Sequence, residues 1–221
     1  SRKVLIVGGG VGGLQAAITC AQRGHKAVLL EKTDRLGGTM NFTDVDEDKI
    51  DLRNFKNLLI REAGHPVPDA ASYSSTQEAI DLVSSLTEND LILFLLSGGG
   101  SALFEKPLVP DTEMDDITRQ LLACGADIVE MNTLRKRLSA VKGGKFAALC
   151  APARVFSVVL SDIIGDPLDM IASGPAYPDS STADQALAVA DKYNLNLSDR
   201  ARALLAEETP KKLSNVERVV F

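Results

Sequence analysis

The chain has 221 residues, 45% of them hydrophobic, which suits one large α/β domain. Its 24 Lys and Arg against 30 Asp and Glu leave a net charge of −6, so it lacks the positive field that draws nucleic acid or an anionic membrane surface. Aromatic residues are only 5%, with no Trp, too few for base-stacking platforms, and apolar runs such as Leu91–Leu96 are too short to span a bilayer. No basic-then-apolar leader precedes Val4, and Cys20, Cys124 and Cys150 are too scattered for a disulfide framework or a zinc site. These features predict a cytoplasmic protein with neither nucleic acid nor membrane as partner, and the glycine-rich motifs below add a small-molecule nucleotide.

Val4–Val7 is a short apolar strand that runs into glycines. Leu14–Arg23 has helical spacing and is stopped by Gly24, and Ala27–Leu30 is a second buried strand. Together they make one βαβ unit. Thr43–Asp51 is an acidic linker. Leu52, Phe55, Leu58 and Leu59 are spaced as on a helix, which predicts one over Asp51–Glu62, with a strand at Leu58–Ile60 as the alternative. Ala63–Asp69 is a turn in which His65 reads as a structural residue, and Ser74–Leu86 is an amphipathic helix with Thr76 near its start. Leu91–Leu96 has the continuous apolar character of a central parallel strand. Helices are predicted over Asp111–Cys124, with Thr112 as N-cap, over Thr133–Val141, and over Asp184–Tyr193 and Ser198–Glu207. Lys145–Cys150 adds a helical turn, and Val155–Leu160 and Val216–Phe221 are strands. Strands alternating with helices predict a single doubly wound parallel sheet, a Rossmann-like three-layer α/β/α domain over residues 1–221.

Gly8, Gly10 and Gly13 fit G-x-G-x-x-G spacing between a strand and a helix. That spacing permits a tight turn, backbone approach to a pyrophosphate and close packing of helix on strand, with the helix amino terminus facing the phosphates. Glu31 ends the second strand, where a carboxylate can accept hydrogen bonds from a ribose. Glu31 followed by Gly37 and Gly38 resembles the flavoprotein pattern, and Gly37–Phe42 is similar to NADH:flavin oxidoreductases related to enoate and dienoyl-CoA reductases. This resemblance implies FAD or NAD at Gly8, Gly10, Gly13, Glu31, Gly37 and Gly38.

A different resemblance begins at Ala63-Gly64-His65-Pro66. It continues through Phe94–Leu103, Leu138–Gly144, Leu160–Asp166, Ile171–Pro175, Pro178–Thr182 and Glu208–Lys211. These motifs, in this order, resemble the amino-terminal domain of glycerate 2-kinases. The resemblance implies ATP-dependent, Mg²⁺-assisted phosphorylation of D-glycerate at its 2-hydroxyl. The residues themselves are compatible with that chemistry. Ser97, Gly98, Gly99, Gly100 and Ser101 follow a central strand, where successive N–H groups can form an anion-binding nest. Asp162 and Asp166, in a loop at another strand end, could hold Mg²⁺ through waters, and Arg135, Lys136 and Arg137 could contact phosphate or carboxylate.

The kinase family opens with a Gly-Lys-Ala turn and places its active site between this domain and a carboxyl-terminal one. Here no lysine lies between Lys3 and Lys26. The two resemblances, meeting near residue 62, predict an engineered chimera: a flavoprotein βαβ segment over 1–62 and a kinase segment over 63–221. The expectation is a domain without full catalytic activity that retains dinucleotide or phosphate binding. An active glycerate 2-kinase and an FAD-dependent oxidoreductase are the alternatives.

Overall fold

The computed structural model describes residues 3–7, 11–31, 58–96, 100–159 and 169–220. Six strands form one sheet: β1 (Lys3–Val7), β2 (Lys26–Glu31), β3 (Leu58–Glu62), β4 (Leu91–Leu96), β5 (Arg154–Val159) and β6 (Val216–Val220). All pairings are parallel, in the order β3-β2-β1-β4-β5-β6. The helices are α1 (Val11–Gln22), α2 (Ala70–Val83), α3 (Gly100–Leu103), α4 (Asp111–Ala123), α5 (Ile128–Leu138), α6 (Lys145–Leu149), α7 (Ala183–Lys192) and α8 (Asp199–Leu205), with a 3-10 turn at Ile171–Ser173. This is the doubly wound α/β architecture read from the sequence.

Strand alternation divides the apolar residues between two faces. Val4 and Ile6 of β1 pack with Ala17 and Cys20 of α1 and with Leu29 of β2. Leu5 and Val7 face the other way, into a core with Ala79 and Val83 of α2, Phe94 and Leu96 of β4, and Phe146 of α6. Both faces of the sheet are therefore covered, which is why its strands read as continuous apolar runs. Phe94, Phe104 and Phe146 meet with ring centroids 4.9–5.7 Å apart. A separate helical core joins Met114, Ile117 and Leu121 of α4 to Met131, Leu134 and Leu138 of α5, and to Ala186 and Ala190 of α7 and Leu204 and Leu205 of α8.

The helix expected over Asp51–Glu62 is corrected: Leu58–Glu62 is an edge strand, and residues 51–57 lie outside the described residues. Pairing with β2, from Ala27↔Leu58 to Glu31↔Glu62, overrides the helical spacing. Its outer side is tied down by Arg61, whose Nε donates to Glu78 Oε2 on α2 at 2.8 Å.

Helix starts also shift, because the caps lie upstream of the expected ones. α2 begins at Ala70, where Asp69 Oδ1 accepts from Ser72 N at 2.8 Å and the Ser72 hydroxyl accepts from Asp69 N. α5 begins at Ile128, capped by the Asp127–Glu130 pair. α4 begins at Asp111 as expected, but Pro110 rather than Thr112 holds the N-cap position, with no side-chain cap, and the first turn carries Asp111 and Glu113. Asp69 Oδ1 also accepts from Gly64 N at 3.1 Å, fixing the turn between β3 and α2 that contains His65. We expect Asp69→Ala to destabilise the domain by about 1–2 kcal/mol, read as a lower urea midpoint at unchanged slope.

Candidate functional site

The strand order reverses between β1 and β4, and open α/β sheets bind ligands at that reversal, outside the carboxyl ends of the strands. Val7 and Leu96, the last residues of β1 and β4, are register partners. The chain thus leaves the sheet side by side at the two glycine-rich stretches the sequence singled out. Gly13 lies in the first turn of α1, and Gly8 and Gly10 lie outside the described residues. Glu31 ends β2 opposite Glu62, while Gly37 and Gly38 fall outside the description. Gly100 and Ser101 open α3, and Ser97, Gly98 and Gly99 lie outside it. Asp162 and Asp166 also lie outside the described residues, among which no cluster of three His, Cys, Asp or Glu could hold a metal ion. No helix among the described residues is long and apolar enough to cross a membrane.

Gly100 marks a close approach. A β-carbon there would lie 2.6 Å from Leu96 Cδ1 and 3.1 Å from Ala172 Cβ. The start of α3 therefore packs directly against the 3-10 turn. That turn is strained: Ala172 and Ser173 have φ of 49° and 59°, followed by Gly174 at 63°. Consecutive left-handed non-glycine residues persist only where their surroundings hold them, and such strain clusters at functional sites. Ser173 Oγ donates to Asn132 Oδ1 on α5 at 2.9 Å, so the strained turn faces the helix that carries the basic triplet.

The triplet does not act as a unit. Lys136 is buried, with Nζ 3.0 Å from both Asp169 Oδ2 and Asp179 Oδ1. Arg137 is buried too. It donates to Thr133 O, Ser181 Oγ and Ser181 O, and its guanidinium lies 3.6 Å from Asp179 Oδ2. The expectation that both would contact a ligand is corrected: their cationic groups are spent on internal carboxylates. Burial pushes the Asp179 carboxyl up. Hydrogen bonds from Thr209 Oγ1 at 2.7 Å, Ser181 N and Lys136 outweigh it and hold the group below its ordinary value.

Arg135 differs. It is half-buried, its Nε is inaccessible to solvent, and that atom has no hydrogen-bond partner. Its charge acts instead on another cation, helping burial to lower the pKa of Lys142. A buried guanidinium nitrogen left unmatched, with no carboxylate paired to it among the described residues, is a group suited to an incoming anion.

Two lysines that the sequence reading gave no role complete the surroundings. Lys142 is buried and its Nζ donates to the carbonyls of Ser101 (2.9 Å), Phe104 (3.1 Å) and Ala172 (3.2 Å), with Glu105 Oε2 at 3.6 Å. Lys145 Nζ donates to Arg137 O and Ser139 O at 2.9 and 2.7 Å, at the carboxyl end of α5. Burial brings its pKa down to about 8. Both ammoniums sit where helix carbonyls lack partners. The available signal was their setting: lysines flanking a Gly-Gly pair, beside Ala140, Val141, Phe146 and Ala147, where a solvated lysine is out of place. Gly144, with φ of 81°, would place a β-carbon 2.7 Å from Tyr177 O. We expect Gly144→Ala to cost at least about 1–2 kcal/mol from backbone conformation alone, seen as a lower melting temperature.

A family model described as "Domain of unknown function (DUF4147)" matches residues 1–206. The chain belongs to this family. Among its relatives, the D-glycerate 2-kinase of Thermotoga maritima is 55% identical over 160 residues, which is 72% of this chain and 38% of that protein. A putative hydroxypyruvate reductase of Agrobacterium vitis is 43% identical over 158 residues, 70% of this chain and 36% of that protein. The crystal structure of Thermotoga maritima glycerate kinase superposes with a TM-score of 0.85 at 44% identity, covering 100% of this chain and 51% of that one. The chain thus spans about half the length, or less, of these relatives.

These matches overturn the chimera. One family model crosses residue 62 without a break, and a single solved fold covers the whole chain. The opening βαβ unit of this chain is therefore part of its DUF4147 domain rather than a flavoprotein insert. FAD and NAD lose their support with it, as does the picture of an engineered, catalytically impaired domain or an oxidoreductase. The physical reason is that G-x-G-x-x-G between a strand and a helix reports the tight turn of a βαβ unit, which many families share whatever their ligand.

Proposed function

We propose that this domain is the amino-terminal part of an ATP-dependent, Mg²⁺-assisted kinase that phosphorylates D-glycerate at its 2-hydroxyl. The observation that carries the reading is the 55% identity over 160 residues to the D-glycerate 2-kinase of Thermotoga maritima. The geometry supports it with the paired strand ends at Val7 and Leu96, the start of α3 at Gly100 and Ser101, and the unmatched Nε of Arg135. The partners are small molecules, a nucleotide and a hydroxy acid; the net charge of −6 speaks against nucleic acid and membrane surfaces, and a cytoplasmic location goes with the reading.

Phosphoryl transfer asks a protein for positioning and charge stabilisation more than for covalent chemistry. In this reading the glycerate 2-hydroxyl oxygen forms a bond to the γ-phosphorus, the bond from that phosphorus to the β–γ bridging oxygen breaks, ADP leaves with the bridging oxygen and the hydroxyl proton passes to solvent water. Arg135 holds the glycerate carboxylate or the transferring phosphoryl group. The Ser97–Ser101 turn gives N–H groups to an anionic oxygen, and Asp162 and Asp166 would hold Mg²⁺, which neutralises phosphate charge when bound.

A coupled assay for ADP release by the full-length protein, with ATP, Mg²⁺ and D-glycerate, tests the reading. Turnover that depends on all three is the expected result. NADH consumption with hydroxypyruvate, without ADP release from glycerate, would overturn it.

A further inference from the structure

Burying an ammonium costs several kcal/mol, and a Met would fill the same space. What Lys142 does with its charge is therefore informative. All three of its protons go to main-chain carbonyls. Two of those carbonyls, of Ser101 and Phe104, lie on α3 and just beyond it. The third belongs to Ala172. The next two residues continue the pattern: Gly143 N donates to Ser173 O at 2.9 Å and Gly144 N to Gly174 O at 2.7 Å. Three successive residues, Lys142, Gly143 and Gly144, thus hold the carbonyls of three successive left-handed residues, Ala172, Ser173 and Gly174. The strained run is held at every residue, and of the three holding residues the lysine is the one that also reaches α3.

Resting on the kinase reading above, we propose that Lys142 is a positioning residue for the site: its ammonium fixes the strained turn at Ala172–Gly174 against α3, and so sets the Asn132 and Arg135 side of the site at its working distance from Ser101. The chain of contacts is continuous. Lys142 fixes Ala172, Ser173 then presents its hydroxyl to Asn132, and Asn132 lies one helical turn before Arg135 on α5. Glu105 supplies the balancing negative charge, so the clamp stays neutral and leaves the Nε of Arg135 unpaired among the described residues. Lys145 is the natural control: its ammonium is also held by carbonyls, but these lie at the end of α5, away from the strained turn.

The test compares Lys142→Met with Lys145→Met in the full-length protein. Both variants are expected to melt at lower temperature. Only Lys142→Met should lower kcat/KM for D-glycerate by about tenfold or more, because small misplacements of a positioned group are costly, with the loss carried mainly by KM. Only Lys142→Met should speed hydrogen exchange at the Gly143 and Gly144 amides. Equal kinetic losses in the two variants, or unchanged exchange at those amides, would overturn the proposal. If Lys142→Met does not fold, Lys142→Arg carries the same comparison, since it keeps the cation but shifts its donors. A wild-type protein without ADP release from D-glycerate would instead sink the kinase reading, a separate outcome.

Discussion

Replacing Arg135 by Ala is expected to lower kcat/KM for D-glycerate by about a hundredfold or more while leaving the melting temperature unchanged or raised. The two halves of this expectation have different causes. The catalytic loss follows from removing a guanidinium that no carboxylate among the described residues pairs with. The retained stability follows from the same fact, since no ion pair or hydrogen bond among the described residues is broken and an unfavourable interaction with the buried Lys142 is relieved. Most arginine substitutions in a protein interior do the reverse. Steady-state kinetics beside a thermal melt therefore decide the matter. A variant that melts many degrees lower with kinetics intact would mean that Arg135 serves the fold.

Asp179→Asn should instead unfold much of the structure, at a cost of about 3–5 kcal/mol. Asp179 is buried and lies between Lys136 and Arg137, both also buried, so neutralising it leaves Lys136 with Asp169 alone and Arg137 with the half-exposed Glu208 at 3.4 Å. It also takes hydrogen bonds from Thr209 and Ser181, which tie the segments before α7 and after α8 together. The same network predicts an acid limit. The Asp179 and Asp169 carboxyls are both held below their ordinary value of 3.8, against the pull of burial. Their contribution to stability is therefore fully present above that value and is lost as pH falls through the lower folded-state values. Urea midpoints should be flat down to about pH 5 and fall steeply below pH 4. In Asp179→Asn that fall should be shallower. A wild-type acid profile no steeper than that of the variant would show that these carboxylates do not carry the transition.

The strands were legible because a sheet covered on both faces needs unbroken apolar runs, as in Leu91–Leu96. β3 was not, because Leu58 and Leu59 sit one residue apart in a segment whose other apolar residues fall at helical spacing. Only its pairing with β2 decides the outcome. Helix starts moved because Asp69 and Asp127 act as caps through side chains three residues downstream, a pattern easily passed over for a later Thr. At the site, Arg135 could be singled out as a cation by residue type. Lys136 and Arg137 could not be told apart from Arg135, since adjacent cations look alike until burial separates them. The lysines of the Gly-Gly segment were invisible for a related reason. The partners of Lys142 are carbonyls 30–41 residues away, and carbonyls carry no residue identity. A short glycine pattern cannot tell a flavoprotein from this family, because both open with the same βαβ unit.

Arg135 is carried beside Lys142 by a helix whose apolar side belongs to the other core. Met131, Leu134 and Leu138 of α5 rest on α7 and α8, where the facing positions include Ala186, Ala190 and Ala201. A methylene gained or lost at those small residues would tilt α5 and move the guanidinium without altering any residue that meets a ligand. Substrate fit in this domain can therefore drift through silent repacking at a distance, and laboratory evolution for new hydroxy acids should accumulate changes behind α5 as readily as at the strand ends.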